Sequence, residues 1–542
     1  MMTSTQTSRH RFPLFSITLG VLLSAVLLPF SHFIGFDGIF YARMGENILS
    51  GRGISVNPGE PYTSHGFFYA LLLGLVNLLF RDSELSGHLV SILAFSLAVI
   101  PLFLLSETIY GRNTASWISF LYVTHGFLLI HSNMVLTEPL FTCLILLEVY
   151  FVQKAIWNQR LSLSGGIAIG IISGLAYLTR PEGLFFYLAS VFALFLFSTG
   201  PLLAKSRILS ASVLTFALFF LPLTVFHFHH SGRMQLSSGV AENLIMRQLD
   251  LSHPNAFPEA KKIFEGLTED KSRLKMDELK ESFRLSDYLT KDNAALLRSF
   301  FPSLFWRLLG IQPYLYGGLG LLLIGAGLFH APWDQQRKRA EAVFLIYLLT
   351  FLPQAFGFFQ NKRYYAYLPF LLIWIGQGIT ATTLWTRQTF SVSARVSSRL
   401  GWTFCLALAF ASGLYLHRTY TQTQLPFEYK ELGLWMKGNI PDIAEQFVVS
   451  RHPSVNFYAG AKILHPPFFL PYVERFDDLL TYMRHQKARY FVVSDDLEVP
   501  ALDAYRFLLD ESKPPPFGIL RKHTVTGMRK LILYELLRSE EG

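Results

Sequence analysis

Long apolar runs, separated by short polar stretches, set the pattern of this chain. Runs near 12–34, 88–107, 114–131, 139–153, 163–179, 183–199, 208–228, 312–330, 342–360, 365–384 and 401–417 approach the ~20 residues an α-helix needs to cross a bilayer. The pattern predicts an all-α polytopic membrane bundle of about eleven transmembrane helices. One further run, 66–80, spans only about 15 residues and fits a re-entrant or interfacial piece better than a full span. The first run is too long for a signal-peptide core and lacks a small-residue cleavage site, so it is expected to remain as an anchor. Beyond 417 the periodicity changes. Short β-rich runs at 447–450, 490–494 and 531–536 alternate with helical patterns at 428–437 and 475–486, which predicts a small α/β domain. The expected organisation is therefore a membrane domain over 1–417 and a C-terminal domain over 418–542.

Loop charges orient the bundle. Arg9 and Arg11 precede the first run and place the N-terminus inside. If 66–80 does not cross, Arg112, Lys205 with Arg207, Arg337–Arg339, and Arg387, Arg395 and Arg399 all fall on the same cytoplasmic side. If it crosses, each flips outward, against the positive-inside bias. The outer face then carries the loop 35–87, the turn around 133–138, a long polar loop over 229–303 and the C-terminal domain.

Composition agrees with a membrane setting. The 542 residues are 51% hydrophobic and only 16% charged, with 50 Phe and 24 Tyr, a balance suited to lipid contact and aromatic belts. The net charge of +9 reads as cytoplasmic-loop Lys and Arg rather than a nucleic-acid footprint, because no basic stretch outside the membrane runs is interleaved with aromatics. Cys143 and Cys405 both lie within apolar runs, so no disulfide is expected. Gly166, Gly170 and Gly174 recur every fourth residue, the spacing of a close helix–helix contact.

Several polar residues stand where apolar chains rarely place them. Asp37, in Gly35-Phe36-Asp37-Gly38, follows the first run directly and opens a helix expected to lie in the outer interface, with Phe40, Met44 and Ile48 as its lipid-facing stripe. It reads either as a helix cap or as a functional carboxylate at the outer interface. Glu138 in Leu136-Thr137-Glu138-Pro139 has the same two readings. Arg180 and Glu182, in Leu178-Thr179-Arg180-Pro181-Glu182-Gly183, sit between two apolar runs with almost no loop. A charge there needs a polar cavity or a partner, and the two residues can form a local ion pair with the arginine reaching outward. Lys362 and Arg363 are basic on the outer side, against the bias, which an anionic ligand would explain. His65 and His131 also reach that side. The spacing of His227, His229 and His230 suits no standard metal site. The chain has no Gly-x-Ser-x-Gly, His-Glu-x-x-His, Walker loop or Asp-x-Asp.

Together these motifs carry a resemblance. An early acidic residue after the first run, Thr137-Glu138-Pro139, Leu178-Thr179-Arg180-Pro181-Glu182-Gly183 and Arg363-Tyr364-Tyr365-Ala366-Tyr367-Leu368-Pro369 resemble the GT-C glycosyltransferase superfamily. Within it the chain looks like the protein O-mannosyltransferase and lipid A aminoarabinose transferase branch. The stretch 37–63, with Gly51-Arg52-Gly53 and Asn57-Pro58-Gly59-Glu60, is also similar to bacterial arabinofuranosyltransferases. The resemblance covers 12–385 and implies a sugar donor carried on polyprenyl phosphate. It implies an inverting transfer to a glycan, lipid or protein acceptor at the outer, periplasmic face of the inner membrane. It makes Asp37 the base, with Glu138 the second catalytic candidate. Arg43, Arg180, Arg363 and Tyr364 are expected at the donor phosphate, and Tyr41, His65 and Glu182 in acceptor-side or structural roles. No cofactor is required by this reading; a divalent metal is compatible but not indicated. Many relatives carry paired acidic residues where Asp37 is flanked by Phe36 and Gly38, which weakens any role needing two carboxylates there.

The chemistry is consistent with that resemblance. Glycoside hydrolysis uses two carboxylates, one to protonate a poor leaving group. A phosphate already leaves well and needs cations for its growing charge. The rival classes are a lipid-linked sugar transporter, which would show midplane charges and related halves, and a non-catalytic envelope-assembly partner. The topology is testable: a reporter fused after Gly87 should report the outer side, and a cytoplasmic signal would overturn the orientation.

Overall fold

Apolar segments fold as helices because a helix pairs each backbone N–H and C=O within itself where no water is available. The structure, a computed structural model, describes residues 11–157, 162–199, 201–231, 293–330, 332–353, 361–422, 425–450, 452–463, 476–485, 487–495 and 506–537. In chain order the helices begin with α1 (Arg11–Ser31), α2 (Phe36–Leu49), α3 (Phe68–Phe80), α4 (Ser83–Leu97) and α5 (Val99–Tyr110). They continue with α6 (Arg112–Thr124), α7 (Gly126–Ser132), α8 (Glu138–Trp157), α9 (Leu163–Thr179), α10 (Gly183–Phe197) and α11 (Leu202–Ser231). Next come α12 (Asn293–Gly310), α13 (Gly317–Phe329), α14 (Gln335–Leu349), α15 (Leu368–Phe390) and α16 (Ala394–Gln422). The last part holds α17 (Phe427–Asn439), β1 (Val448–Val449), α18 (Ser454–Ala459), α19 (Phe476–His485), β2 (Tyr490–Ser494), β3 (Ile519–Thr526) and β4 (Lys530–Leu536).

Two units divide the chain. The first takes Met1–His32, Thr63–Val240 and Leu297–Thr423; the second takes Phe33–Tyr62, Ala241–Leu296 and Gln424–Gly542. The loop expected over 229–303 lies mostly, at 232–292, outside the described residues; its end is already helical in α12. The boundary expected at 417 falls inside α16, which continues to Gln422.

In the first unit, six helices among the described residues are long and apolar enough to cross a membrane, or seven if Phe300–Leu315 and Gly317–Phe329, bent by 99°, form one span. The runs expected at 88–107, 139–153, 208–228, 365–384 and 401–417 are among them, and α3, α9 and α10 are shorter apolar helices. Two expected spans take a different form. The run 114–131 is broken into α6 and α7 where His125 turns extended, at φ −73° and ψ 114°. The run 342–360 starts earlier, because the Asp334 carboxylate accepts from Arg337 N at 2.7 Å and caps α14 ahead of its apolar part, while its end at 354–360 lies outside the described residues. Outward faces are apolar: Leu14, Leu22 and Val26 on α1, and Leu214, Leu218 and Val225 on α11, are exposed. Such faces suit lipid contact.

The four-residue glycine spacing of α9 has the packing role expected of it. A Cβ at Gly166 would strike Ile208 O, at Gly170 the backbone of Ser212 and the Thr215 hydroxyl, and at Gly174 the Phe219 ring. The glycines thus let the α11 backbone approach α9.

The second unit is built on a four-stranded sheet of order β1-β2-β4-β3, with β1 parallel to β2 and the other pairs antiparallel. Alternation sends Tyr490, Val492, Leu531 and Leu533 to one face, where they pack with Tyr429, Leu432 and Met436 of α17 and Val455 of α18. Phe491, Val493, Ile532 and Tyr534 turn to the other face and pack with Leu479 and Met483 of α19. The α/β expectation holds, with one strand added. β3 was not foreseen, because its sequence Ile519–Thr526 carries Arg521, Lys522 and His523. As the edge strand it can be charged, and its register shifts between Arg521 and His523.

The glycine contact gives a stability prediction. Gly170→Ile should lower stability by about 1–3 kcal/mol through overpacking, read as a lower unfolding temperature in detergent. Gly325→Ala, at a position with open space around it, should be nearly neutral.

Candidate active site

The Leu178–Gly183 motif folds as a tight turn between α9 and α10. Arg180 leaves the helix in an extended conformation, as a residue before proline favours. Gly183 then packs against the backbone of Ala176 and Tyr177, where a Cβ would not fit. The turn projects a charged side chain at an apolar helix end, and its partners are found nearby. Arg180 Nη1 meets Glu138 Oε1 at 2.6 Å and Thr137 Oγ1 at 3.1 Å. Its Nη2 meets Glu182 Oε1 at 3.2 Å. The guanidinium also lies 5.9 Å from the centre of the Phe141 ring. The local pair foreseen between Arg180 and Glu182 therefore exists, and a second carboxylate from α8 joins it. Glu138 stands at the start of α8, as a capping residue would, but its carboxylate is directed to Arg180.

Arg363 belongs to the same electrostatic group. It lies in the 3-10 turn Asn361–Ala366, and burial lowers its guanidinium while Glu182 opposes that shift. Burial alone would raise the Glu182 carboxyl, yet Arg180 and Arg363 outweigh it and hold the group at about 2. The stabilising effect of Glu182 is complete above the ordinary carboxylate range and is lost progressively as pH falls from that range through about 2. Tyr364 is buried and donates its hydroxyl to the Arg307 carbonyl. His65 is half-buried, beside Gly66, whose missing Cβ leaves room for the Leu178 and Thr179 carbonyls. The turn around 65–66 is thereby set against the end of α9. Thr137 and Phe141 were not singled out from the sequence; the Thr-Glu-Pro motif pointed at the first, but only the fold brings both to Arg180.

Asp37 belongs to the second unit. It lies in the first turn of α2, whose capping position is Gly35 with no side chain to offer. The cap reading is thus not met at the capping position. The stripe expected to face lipid is covered by protein: Phe40 and Met44 are buried, and Phe40 stacks on Tyr62 with ring centres 5.5 Å apart and planes 4° from parallel. Tyr41 is buried as well. An apolar stripe can meet protein as well as lipid. Arg43 pairs with Glu46 at 3.5 Å and donates to the carbonyls of Phe457 at 3.3 Å and Ala461 at 3.5 Å. Burial lowers its guanidinium, with Glu46 opposing.

Among the described residues no three His, Cys, Asp or Glu side chains come together as a metal ion would need. His227 is buried, and His230 bonds back to the Phe226 carbonyl at 2.9 Å.

The architecture is that of the GT-C glycosyltransferases, a helical membrane fold with a small C-terminal sheet domain, and the chain is an integral membrane protein. Residues 64–226 match the family described as dolichyl-phosphate-mannose-protein mannosyltransferase. Among solved structures, the chain is similar to the oligosaccharyltransferase of Archaeoglobus fulgidus in complex with Zn and sulfate, at 13% identity and TM-score 0.59, covering 89% of this chain and 67% of that one. A structure of the same organism's AglB with an inhibitory peptide and a dolichol-phosphate matches at 14% identity and TM-score 0.55, covering 89% and 69%. ArnT from Cupriavidus metallidurans bound to undecaprenyl phosphate matches at 11% identity and TM-score 0.57, covering 96% and 97%. At these identities the likeness is one of fold. No curated protein sequence matches the chain significantly. The Zn of the archaeal relative has no matching ligand set among the described residues.

The arginine–carboxylate cluster predicts its own energetics. Glu138→Ala should cost about 3 kcal/mol, because it leaves a largely buried guanidinium short of a counter-charge. Glu138→Gln, which keeps an acceptor, should cost less. Thermal unfolding in detergent measures both, and equal costs would show that charge is not the issue. Glu182→Gln should leave any acid limb of activity above about pH 4 in place, because Glu182 is already ionised there.

Proposed function

We propose that the protein is a glycosyltransferase that moves a sugar from a polyprenyl-phosphate carrier to an acceptor hydroxyl at the outer, periplasmic face of the inner membrane. One observation carries this reading. Arg180, Glu138 and Glu182 converge at the end of α9, all inside the stretch that matches a family of lipid-phosphate-dependent mannosyltransferases. The lipid phosphates bound by the ArnT and AglB structures support the same donor class. The acceptor peptide tethered to the archaeal oligosaccharyltransferase supports an acceptor presented from outside the membrane. A glycan, a lipid or a protein would each supply the acceptor hydroxyl.

In this reading the acceptor oxygen attacks the anomeric carbon as the bond from that carbon to the phosphate oxygen breaks, with inversion. The acceptor proton passes to Asp37. The leaving polyprenyl phosphate takes the bonding electrons, and Arg363 and Arg180 stabilise its growing charge. Asp37 is favoured over Glu138 as base because the Glu138 carboxylate is already engaged by Arg180 at 2.6 Å, which occupies it away from an incoming hydroxyl. Tyr364 anchors the turn Asn361–Ala366 that carries Arg363, through its bond to the Arg307 carbonyl. Arg43, also expected at the phosphate, is assigned instead to holding α2, given its bonds to Phe457 and Ala461. No step is routed through a metal.

The test uses purified protein with a labelled polyprenyl-phosphate sugar and a panel of acceptors. Acceptor-dependent release of free polyprenyl phosphate is the expected result. Movement of intact donor across a vesicle membrane, or binding without turnover, would replace the enzyme reading by a transporter or an assembly partner. Asp37→Asn should lower turnover by roughly 10²-fold or more with donor binding kept. Arg363→Ala should weaken donor binding as well. Near-normal turnover of correctly inserted Asp37→Asn would remove Asp37 from the chemistry.

A further inference from the structure

The segment that carries Asp37 is held along its length by a distant part of the chain within the second unit. Ile34 sits just before Gly35, the capping position of α2. Both polar atoms of its backbone are bound by side chains of α18: Ile34 N–H donates to Tyr458 Oη at 2.9 Å, and Ile34 C=O accepts from Ser454 Oγ at 3.1 Å. Ser454 Oγ is in turn 2.7 Å from His452 Nδ1. A hydroxyl has one proton, and with that proton on Ile34 O the serine oxygen is left to accept from His452 Nδ1–H. Ser454 N–H also approaches the same nitrogen, at 3.4 Å, near the limit of a hydrogen bond. The His452 ring is wedged among Phe33, Phe36 and Tyr429, with ring centres 5.4 to 6.3 Å away.

The hold continues past the start of α2. Arg43 reaches the Phe457 and Ala461 carbonyls and lies 5.5 Å from the centre of the Phe457 ring. In Asn57-Pro58-Gly59-Glu60, Glu60 N–H bonds to Asn57 O at 3.1 Å and Gly59 takes φ +84°, a type II turn with proline and glycine where that turn wants them. The turn presents the Asn57 amide to Ile463: Nδ2 donates to Ile463 O at 2.7 Å, and Ile463 N–H donates to Oδ1 at 3.0 Å. Apolar contact alone would let α2 slide. Directional bonds on the Ile34 peptide fix the direction in which the first turn, and with it Asp37, leaves.

We propose that Tyr458 and Ser454 are positioning residues for the transfer reaction, so that the C-terminal part of the chain sets the placement of Asp37 and is a working part of the catalyst rather than an appended module. The proposal rests on the reading of Asp37 as the base. Tyr458→Phe removes the acceptor of Ile34 N–H while keeping the ring, and Ser454→Ala removes the donor to Ile34 O. In full-length protein each should lower kcat about tenfold or more, with binding of the polyprenyl-phosphate sugar unchanged and the unfolding temperature nearly so. Ser454→Thr, which keeps a hydroxyl, should restore most of the rate. Combined with Asp37→Asn, Tyr458→Phe should add little further loss, because residues that act through one group are not additive.

Unchanged kcat in both Tyr458→Phe and Ser454→Ala would overturn the proposal. So would the same fold loss in the Asp37→Asn background as in the natural protein, or a fall in rate matched by lost donor binding. If Tyr458→Phe does not fold, the Ser454 pair decides alone. The two readings fail separately: full activity in Asp37→Asn sinks the base, whereas an inactive Asp37→Asn beside fully active Tyr458→Phe and Ser454→Ala sinks only the positioning.

Discussion

A guanidinium at the end of two apolar helices must find counter-charge close by, because the medium around it screens poorly and solvates weakly. Arg180 finds it on both sides, in Glu138 from α8 and Glu182 from its own turn. The pairing ties the starts of α8 and α10 to the end of α9, and the glycines of α9 then fix how closely α11 can approach. Arg363 adds a second cation to the group. Two arginines and two carboxylates nearly cancel in charge, which lets the group exist without ligand. In the proposed reaction, a phosphate arriving there would compete with the carboxylates for the same donors, so its hold would be reversible.

The second unit solves a different problem. In the proposed reaction the base must stand within hydrogen-bond reach of a hydroxyl, and the glycine at the capping position of its helix contributes no side-chain bond to set the direction. The bonds from Tyr458, Ser454 and the Asn57–Ile463 pair supply that direction. The segment 33–62 therefore belongs, by its contacts, with residues hundreds of positions later. The reading of the chain as a membrane domain followed by a separate module missed this, since nothing local in 33–62 says what it binds.

Some of the site was legible in advance, for identifiable reasons. Arg180 and Glu182 drew attention because charge between apolar runs is costly, and that cost is written into the sequence. Their pairing at 3.2 Å follows from their closeness in the chain. The reach to Glu138, the Phe141 ring beneath the guanidinium and the burial of Phe40 depended on partners far away in sequence. An apolar stripe states that one face of a helix must be covered, without stating whether lipid or protein covers it.

The sequence by itself determined that the chain is helical and membrane-embedded, that its end is an α/β sheet domain, and where its unusual charges stand. Those properties follow from periodicity, composition and the cost of burying charge, all of which act locally. Only the tertiary structure decided the sheet order β1-β2-β4-β3 with its charged edge strand β3, the break between α6 and α7, the second carboxylate on Arg180, and the hold of 452–463 on the helix of Asp37. Each of these depends on a hydrogen bond or ion pair between residues distant in the chain. Such pairings are chosen by which surfaces can approach after the helices and strands have formed.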